Sequence, residues 1–223
     1  MLRTPEEYLK LYRSRGALWL HDGQPTSPHV ELDSGLHSNG YANSRKILTN
    51  PIWSDEAAAD LVSYLRSNGL DLKKVNRVIG PQFGAITFAH DVARHISHEA
   101  GTTCLSGFTE KVGKEKSSPM KLGSIEIEQF ENILLVEDVL TTGGSVERSA
   151  KAVIDKQGII LPFAGAIFNR SGLSRADGRK IISLIEFTMD TWPVEECPLC
   201  AAGSELITKP KDPENWARLT ARS

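Results

Sequence analysis

From residue 77 onward the chain alternates short apolar runs with amphipathic stretches, and the apolar runs end in polar or glycine-rich turns. Arg77 to Gly80 is a short apolar strand running into the turn Gly80-Pro81-Gln82-Phe83-Gly84, and residues 84 to 99 have helical spacing. Thr103 to Phe108 suits a further strand. Asn132 to Val136 reads as a buried strand, Gly144 to Gln157 as a helix and Ile159 to Phe168 as the next strand. Parallel neighbours need long, right-handed crossovers, so this succession predicts an α/β fold with a parallel sheet flanked by helices. Ligands of such sheets bind beyond the carboxyl ends of the strands.

Upstream, residues 5 to 20 read as an amphipathic helix with Thr4 as N-cap, Pro5 in the first turn and Tyr8, Leu9, Leu11, Tyr12 and Leu18 on its apolar face. Residues 29 to 48 read as extended segments broken by Gly35 and Gly40. Residues 55 to 68 read as a helix capped by Ser54, with Ala58, Leu61, Val62 and Leu65 as its stripe. At 223 residues and 40% hydrophobic composition, one core of ordinary size is expected. A formal net charge of −2 argues against a dedicated nucleic-acid binder. Neither a membrane-spanning run nor a secretory h-region is present in the sequence, so no membrane partner and a cytoplasmic location are expected.

The strand Ile133-Leu134-Leu135-Val136 continues into Glu137-Asp138, Val139-Leu140 and Thr141-Thr142-Gly143-Gly144-Ser145. Two adjacent carboxylates at a strand end can accept hydrogen bonds from vicinal hydroxyls such as a ribose 2′,3′ pair. Hydroxyls, glycines and backbone N–H groups at the start of a helix form an anion site. A lone glycine turn reads more simply as a βα connection, but acids, threonines and glycines in this order give one loop both grips. It is neither a Walker phosphate loop nor a Gly-x-Gly-x-x-Gly fingerprint.

The run from Ile133 to Ser145 resembles the signature of the type I phosphoribosyltransferases. Further segments resemble the orotate phosphoribosyltransferases: Leu32 to Ser38 with Tyr41 and Asn43, the Gly80-Pro81 loop, Phe168 to Gly172, and Trp192 to Cys200. Together they cover residues 30 to 210. The resemblance implies a Rossmann-like parallel sheet flanked by helices, the type I phosphoribosyltransferase fold, with a small N-terminal hood. Residues 1–223 would form one domain, with 1–50 giving the N-terminal helix and hood and 190–223 a C-terminal tail. The implied reaction moves a phosphoribosyl group from phosphoribosyl diphosphate to orotate, with Mg²⁺ as cofactor, in a homodimer whose lid reaches the partner's site. Glu137 and Asp138 would hold the ribose hydroxyls and Thr141, Thr142, Gly143, Gly144 and Ser145 the 5-phosphate, with Val139 and Leu140 also part of the phosphoribosyl-diphosphate site, while Gly80 and Pro81 approach the diphosphate. Arg170, Tyr41 and Thr141 would contact the base, Asp138 would also be catalytic, and no residue is assigned to a protein-held metal.

A guanidinium matches the carboxylate and carbonyl groups of a carboxylated pyrimidine, which agrees with the role of Arg170. Tyr41 reads equally as a hood residue or a core tyrosine. Lys111, Lys114, Lys116 and Lys121, interspersed with Gly113, Ser117 and Ser118, read either as a solvated charged loop or as a cationic lid over the diphosphate; the first three are the candidate catalytic lysines. The lid lacks the arginine and histidine common in orotate enzymes, and Asn169 stands where an aspartate is usual. Two other readings stay open: transfer to a purine or salvage pyrimidine, and a non-catalytic sensor of phosphoribosyl diphosphate. Cys197-Pro198-Leu199-Cys200 invites a zinc reading, but the only other cysteine is Cys104 and no histidine stands at a telling spacing, so a structural tail turn is expected. Lys209 to Pro213 is expected to be an extended, exposed end.

Overall fold

The structure is a computed structural model that describes residues 2–113, 115 and 118–221. Helix α1 (Pro5–Ser14) starts on a capping box in which Thr4 and Glu7 exchange side-chain and backbone hydrogen bonds, with Tyr8 and Tyr12 buried. The helix stops before residue 20 because Gly16 takes φ +56° and turns the chain into β1 (Leu18–Leu20). Strands β2 (His29–Glu31), β3 (His37–Ser38) and β4 (Gly40–Ala42) follow. Gly35 turns the chain between β2 and β3 as expected, whereas Gly40 does not interrupt it but opens β4, which pairs antiparallel with β1. A side chain at Gly40 would collide with Met189, its Cβ falling 2.7 Å from Sδ.

Helix α2 (Arg45–Leu48) leads to α3 (Pro51–Ser67). The cap of α3 is Asn50, whose side chain accepts from the amides of Ile52 and Trp53; Pro51 then starts the helix four residues earlier than expected. Ser54 donates instead to Asp91 at 2.5 Å. The βα alternation follows: β5 (Arg77–Pro81), α4 (Ile86–Ala100), β6 (Leu105–Lys111), β7 (Met120–Leu122), β8 (Asn132–Leu140), α5 (Gly144–Ile154) and β9 (Ile159–Asn169). Strands β10 (Arg175–Ala176) and β11 (Arg179–Glu186) complete the main sheet, which among the described residues has the order β10-β11-β9-β8-β5-β6-β7. Its five inner strands are parallel, and the two short edge strands run antiparallel. Successive residues of β8 serve opposite faces: Leu134 and Val136 join the core under α1, α3 and α4, while Ile133 and Leu135 join the core under α5.

The chain's last part is not a loose tail. Strand β12 (Thr191–Trp192), helix α6 (Pro198–Ala201), strand β13 (Leu206–Ile207) and helix α7 (Pro213–Thr220) belong to the hood. Strands from both ends of the chain form its sheet, in the order β12-β3-β2-β13. Trp216 and Leu219 of α7 are buried with Trp19, Val30, Leu32, Tyr41 and Ile207. Of the extended, exposed end expected over Lys209 to Pro213, the exposure holds at Lys209, Lys211, Asp212 and Pro213, but Pro210 is buried and the segment is a turn into α7, whose apolar residues dock it. The cysteine pair sits in a short helical turn, as expected, but histidines stand beside it. Antiparallel pairing of β2 and β3 brings His29 and His37 together against Cys197 and Cys200, which eight residues of linear spacing between the histidines did not reveal. Among the described residues, no helix is long and apolar enough to cross a membrane.

Candidate active site

The sheet fixes where a ligand can sit. From β5 the chain moves outward to β6, whereas β8, β9 and β11 extend on the other side of β5, so the order reverses between β5 and β8. Loops leaving neighbouring strand ends at such a point diverge and open a crevice. Here the loop after β5 and the end of β8 face a cleft of about 590 Å³, within the range of small-ligand sites.

Every expected donor-loop residue lines that cleft: Glu137, Asp138, Val139, Leu140, Thr141, Thr142, Gly143, Gly144 and Ser145. Pro81, Tyr41, Lys111 and Arg170 line it as well. Gly80 lies one step behind, buried in β5, where a Cβ would be 2.5 Å from the Ala85 carbonyl, so glycine lets the following loop fold back against the strand. The expected Lys114 and Lys116 lie outside the described residues.

The two loops meet at Asp138 and Gly84. A Cβ at Gly84 would fall 2.2 Å from Asp138 Oδ2, so only glycine leaves room for the carboxylate. Glu137 is buried, and its Oε2 has no hydrogen-bond partner. Burial first, and the adjacent Asp138 carboxylate second, push the Glu137 carboxyl well above the usual glutamate range. Behind the acids, the Tyr12 hydroxyl and Ser44 Oγ are 2.7 Å apart, and Ser44 Oγ donates to the Asp138 carbonyl at 3.4 Å. This chain of contacts links α1 to the acidic end of β8.

The threonine–glycine end of the cleft rests on backbone. Gly143 takes φ +80° at the start of α5 and, as N-cap, offers no side chain; among the described residues the Gly144 amide alone donates to a nearby side chain, Thr142 Oγ1 at 3.4 Å. An uncapped N-terminus directs N–H groups and the positive end of the helix dipole into the cleft. Arg148, not foreseen from sequence, lies beside it: a Cβ at Gly144 would be 3.0 Å from its Nη1, and its Nε is buried without a partner. Its spacing three residues after Ser145 places it on the same helix face, a legible signal.

At the hood end of the cleft, Arg170 is 1% exposed. Its Nη1 donates to the Gly40 carbonyl at 2.9 Å and its Nη2 donates to Ser38 Oγ, while Nε has no partner. Burial draws its pKa down to about 10, which leaves it cationic at neutral pH. The guanidinium therefore fastens the hood to the end of β9, a duty its sequence context did not announce. Tyr41 satisfies both readings: it is buried against Trp216, with ring centroids 5.9 Å apart, and it lines the cleft. Lys211 also lines the cleft and pairs with Asp33. No local signal marks it, because its position depends on the docking of α7. With Arg45 it adds cations around the acids, a balance suited to a polyanionic sugar phosphate.

Known proteins share this plan. The phosphoribosyl transferase domain model matches residues 46–199. The chain is 32% identical over 203 residues to the orotate phosphoribosyltransferase of Caldicellulosiruptor saccharolyticus, covering 91% of this chain and 94% of that protein. It is 33% identical over 205 residues to that of Acidithiobacillus ferrooxidans, covering 92% and 95%. Among solved structures, orotate phosphoribosyltransferase from Aeropyrum pernix superposes with a TM-score of 0.55 at 21% identity, over 79% of this chain and 92% of that one. The UMP synthase of Leishmania donovani gives 0.56 at 14% identity, over 97% of this chain and 41% of its own. At such identities the solved structures speak for the fold, and the family rests on the domain match and the sequence relatives. With residues 46–199, which include the acids and the threonine–glycine loop of residues 137–145, matched by that domain model, and relatives of 32–33% identity spanning more than nine-tenths of the chain, the chain belongs to the phosphoribosyltransferase family.

Proposed function

We propose that this protein transfers the phosphoribosyl group of phosphoribosyl diphosphate to orotate, yielding orotidine 5′-phosphate and diphosphate. The observation that carries the donor half is the joining of Glu137 and Asp138 to an uncapped helix N-terminus in one cleft. Support for the acceptor half comes from the sequence relatives, which bear the name orotate phosphoribosyltransferase, and from the cationic, hooded end of the cleft.

In this reading a ring nitrogen of orotate forms a bond to C1 of the ribose as the bond from C1 to the diphosphate oxygen breaks, with inversion. Charge accumulates on the ring and on the leaving oxygens, so catalysis consists of orientation and electrostatic stabilisation. Glu137 and Asp138 orient the ribose through its hydroxyls. Thr141 to Ser145 and the first amides of α5 hold the 5-phosphate, with Arg148 beside them. Lys111 offsets the charge of the departing diphosphate, and the Lys111–Lys121 segment acts as a lid that excludes water. Tyr41 and Arg170 position the base, Arg170 chiefly by holding the hood in place.

Mg²⁺ fits the donor set: Glu137 has a carboxylate oxygen without a partner beside a second carboxylate, and magnesium commonly uses one or two carboxylates together with substrate phosphates. Glu137 and Asp138 would hold it. When bound, it supplies positive charge that offsets the diphosphate. We further infer that residues 1–223 act as one domain, that the working form is a homodimer, and that it works in the cytoplasm.

A panel of bases tests the reading. The protein, phosphoribosyl diphosphate and Mg²⁺ are mixed with orotate, uracil, adenine, guanine or hypoxanthine, and diphosphate release is followed. Release with orotate well above the others is expected. Release with a purine but not orotate overturns the acceptor, and no release with any base overturns the enzyme reading.

A further inference from the structure

Away from the cleft, the structure assembles four soft donor atoms at one point. His29 from β2, His37 from β3, and Cys197 and Cys200 at α6 each bring a ligand atom, and all four atoms lie within 4.8 Å of one another. None of these residues lines the active-site cleft. His29 Nε2 is 3.2 Å from His37 Nδ1, and Cys200 Sγ is 3.3 Å and 3.2 Å from those two atoms. Ligands around a tetrahedral zinc, at bond lengths of about 2.0–2.3 Å, stand roughly 3.3–3.8 Å from one another. The three spacings lie at or just below the short end of that range, and Cys197 Sγ lies within 4.8 Å of the other three atoms, so small shifts would place all four on one ion.

Hydrogen bonding around the cluster points the same way. Ser204 Oγ donates its single proton to the Ser27 carbonyl at 2.7 Å, so at 2.8 Å from His29 Nδ1 it accepts. His29 therefore carries its proton on Nδ1, and on the neutral ring Nε2 turns a bare lone pair toward Cys200 Sγ and His37 Nδ1. An imidazole oriented through its remote N–H is the usual outer support of a metal-ligating histidine. On the other side, the Cys200 amide donates to Cys197 Sγ at 3.5 Å, which fixes the first sulfur over the turn that carries the second. The Cys-x-x-Cys segment is held at both ends, because β12 before it pairs with β3 and β13 after it pairs with β2. It arches across the sheet that carries both histidines.

We propose that His29, His37, Cys197 and Cys200 bind one Zn²⁺ in a closed, four-ligand structural site. Two thiolates and two imidazoles in tetrahedral reach select zinc over magnesium or calcium, which take oxygen ligands. With four protein ligands no position remains for substrate, so the ion fastens instead of reacting. It ties the C-terminal segment to the hood and so holds Lys211 and Trp216 where they meet the cleft and Tyr41. This zinc is distinct from the magnesium of the transfer reaction and does not depend on which base is the acceptor.

Elemental analysis of the full-length protein, made without a histidine tag and dialysed without chelator, gives the test. About one zinc per chain is expected. Cys200→Ser is expected to lose at least nine-tenths of it, while Cys104→Ser, outside the cluster, keeps it. Should Cys200→Ser fail to fold, cobalt substitution of the wild-type protein decides: tetrahedral d–d bands with thiolate charge transfer are expected. Removal of zinc by a strong chelator is expected to lower Tm by several degrees, with recovery on adding zinc back. Zinc-free protein whose Tm does not respond to added zinc, a Cys197–Cys200 disulfide in reductively purified protein, or octahedral cobalt spectra would each overturn the proposal.

Discussion

Asp138 and Gly84 form a pair across the switch point of the sheet, a carboxylate and the space it occupies. Alanine at 84 would force the carboxylate aside, because its Cβ would fall 2.2 Å from Oδ2. Misplacing a positioned catalytic group by about 1 Å costs about 100-fold in rate. Gly84→Ala is therefore expected to lower kcat/KM by about that factor with little change in Tm; steady-state kinetics beside a thermal melt check it, and unchanged kinetics would contradict the contact. Glu137 carries a pH signature. Its carboxyl is raised in the folded chain by burial and by Asp138, so the native state keeps a proton that the unfolded chain releases. The associated stability is fully present below the ordinary glutamate pKa and is lost as pH rises through the raised value. Tm of the ligand-free protein is expected to fall with pH above the ordinary glutamate range, and Glu137→Gln to flatten that fall; equal slopes in the two proteins would remove Glu137 as the cause. At this scale the sequence is informative where chemistry and position coincide. Glu137 to Ser145 are contiguous, so their joint role could be read directly. The hood-fastening duty of Arg170 was hidden, because its partners Gly40 and Ser38 lie 130 and 132 residues away.

Elements with their own periodicity and caps are legible; elements that depend on distant partners are not. The strands β5, β8 and β9 and the helices α4 and α5 follow from apolar runs and helical spacing. Strand β11 went unnoticed even though Ile181, Ile182, Leu184 and Ile185 form an apolar run, because no helix separates it from β9. The C-terminal elements are short, and their strands exist only by pairing with β2 and β3. Helix α7 has a clear reason to dock: Trp216 is buried against Tyr41, with the Lys46 ammonium 4.9 Å from its ring centroid. Trp216→Ala is expected to cost about 3 kcal/mol, and to raise KM for the base through Tyr41; urea denaturation and kinetics separate the two effects. On the opposite side of the molecule, Arg77 Nε donates to Glu131 Oε1 at 2.7 Å in a buried pair that joins β5 to the approach of β8. Removing one partner strands a buried charge, so Glu131→Ala is expected to lose about 3–5 kcal/mol. Kinetic constants per folded molecule should stay near those of the wild type, since neither residue lines the cleft.

Across the whole molecule, one sheet carries the donor grip and a hood woven from both chain ends covers it. This arrangement couples stability of the hood to occupancy of the cleft: Ser44 and Tyr41 from the hood side and Asp138 and Arg170 from the sheet side line the same space. Donor binding is accordingly expected to raise Tm, by an amount that grows with ligand concentration. The proposed homodimer is checked by light scattering, with twice the chain mass expected. The central claim is that Glu137, Asp138 and the loop to Ser145 bind phosphoribosyl diphosphate, and calorimetric titration of the donor, with Mg²⁺ present, addresses it most directly. One site per chain is expected for the wild-type protein, with binding abolished in the folded Glu137→Gln, Asp138→Asn double variant. Unchanged donor affinity in that variant would contradict the assignment of the site.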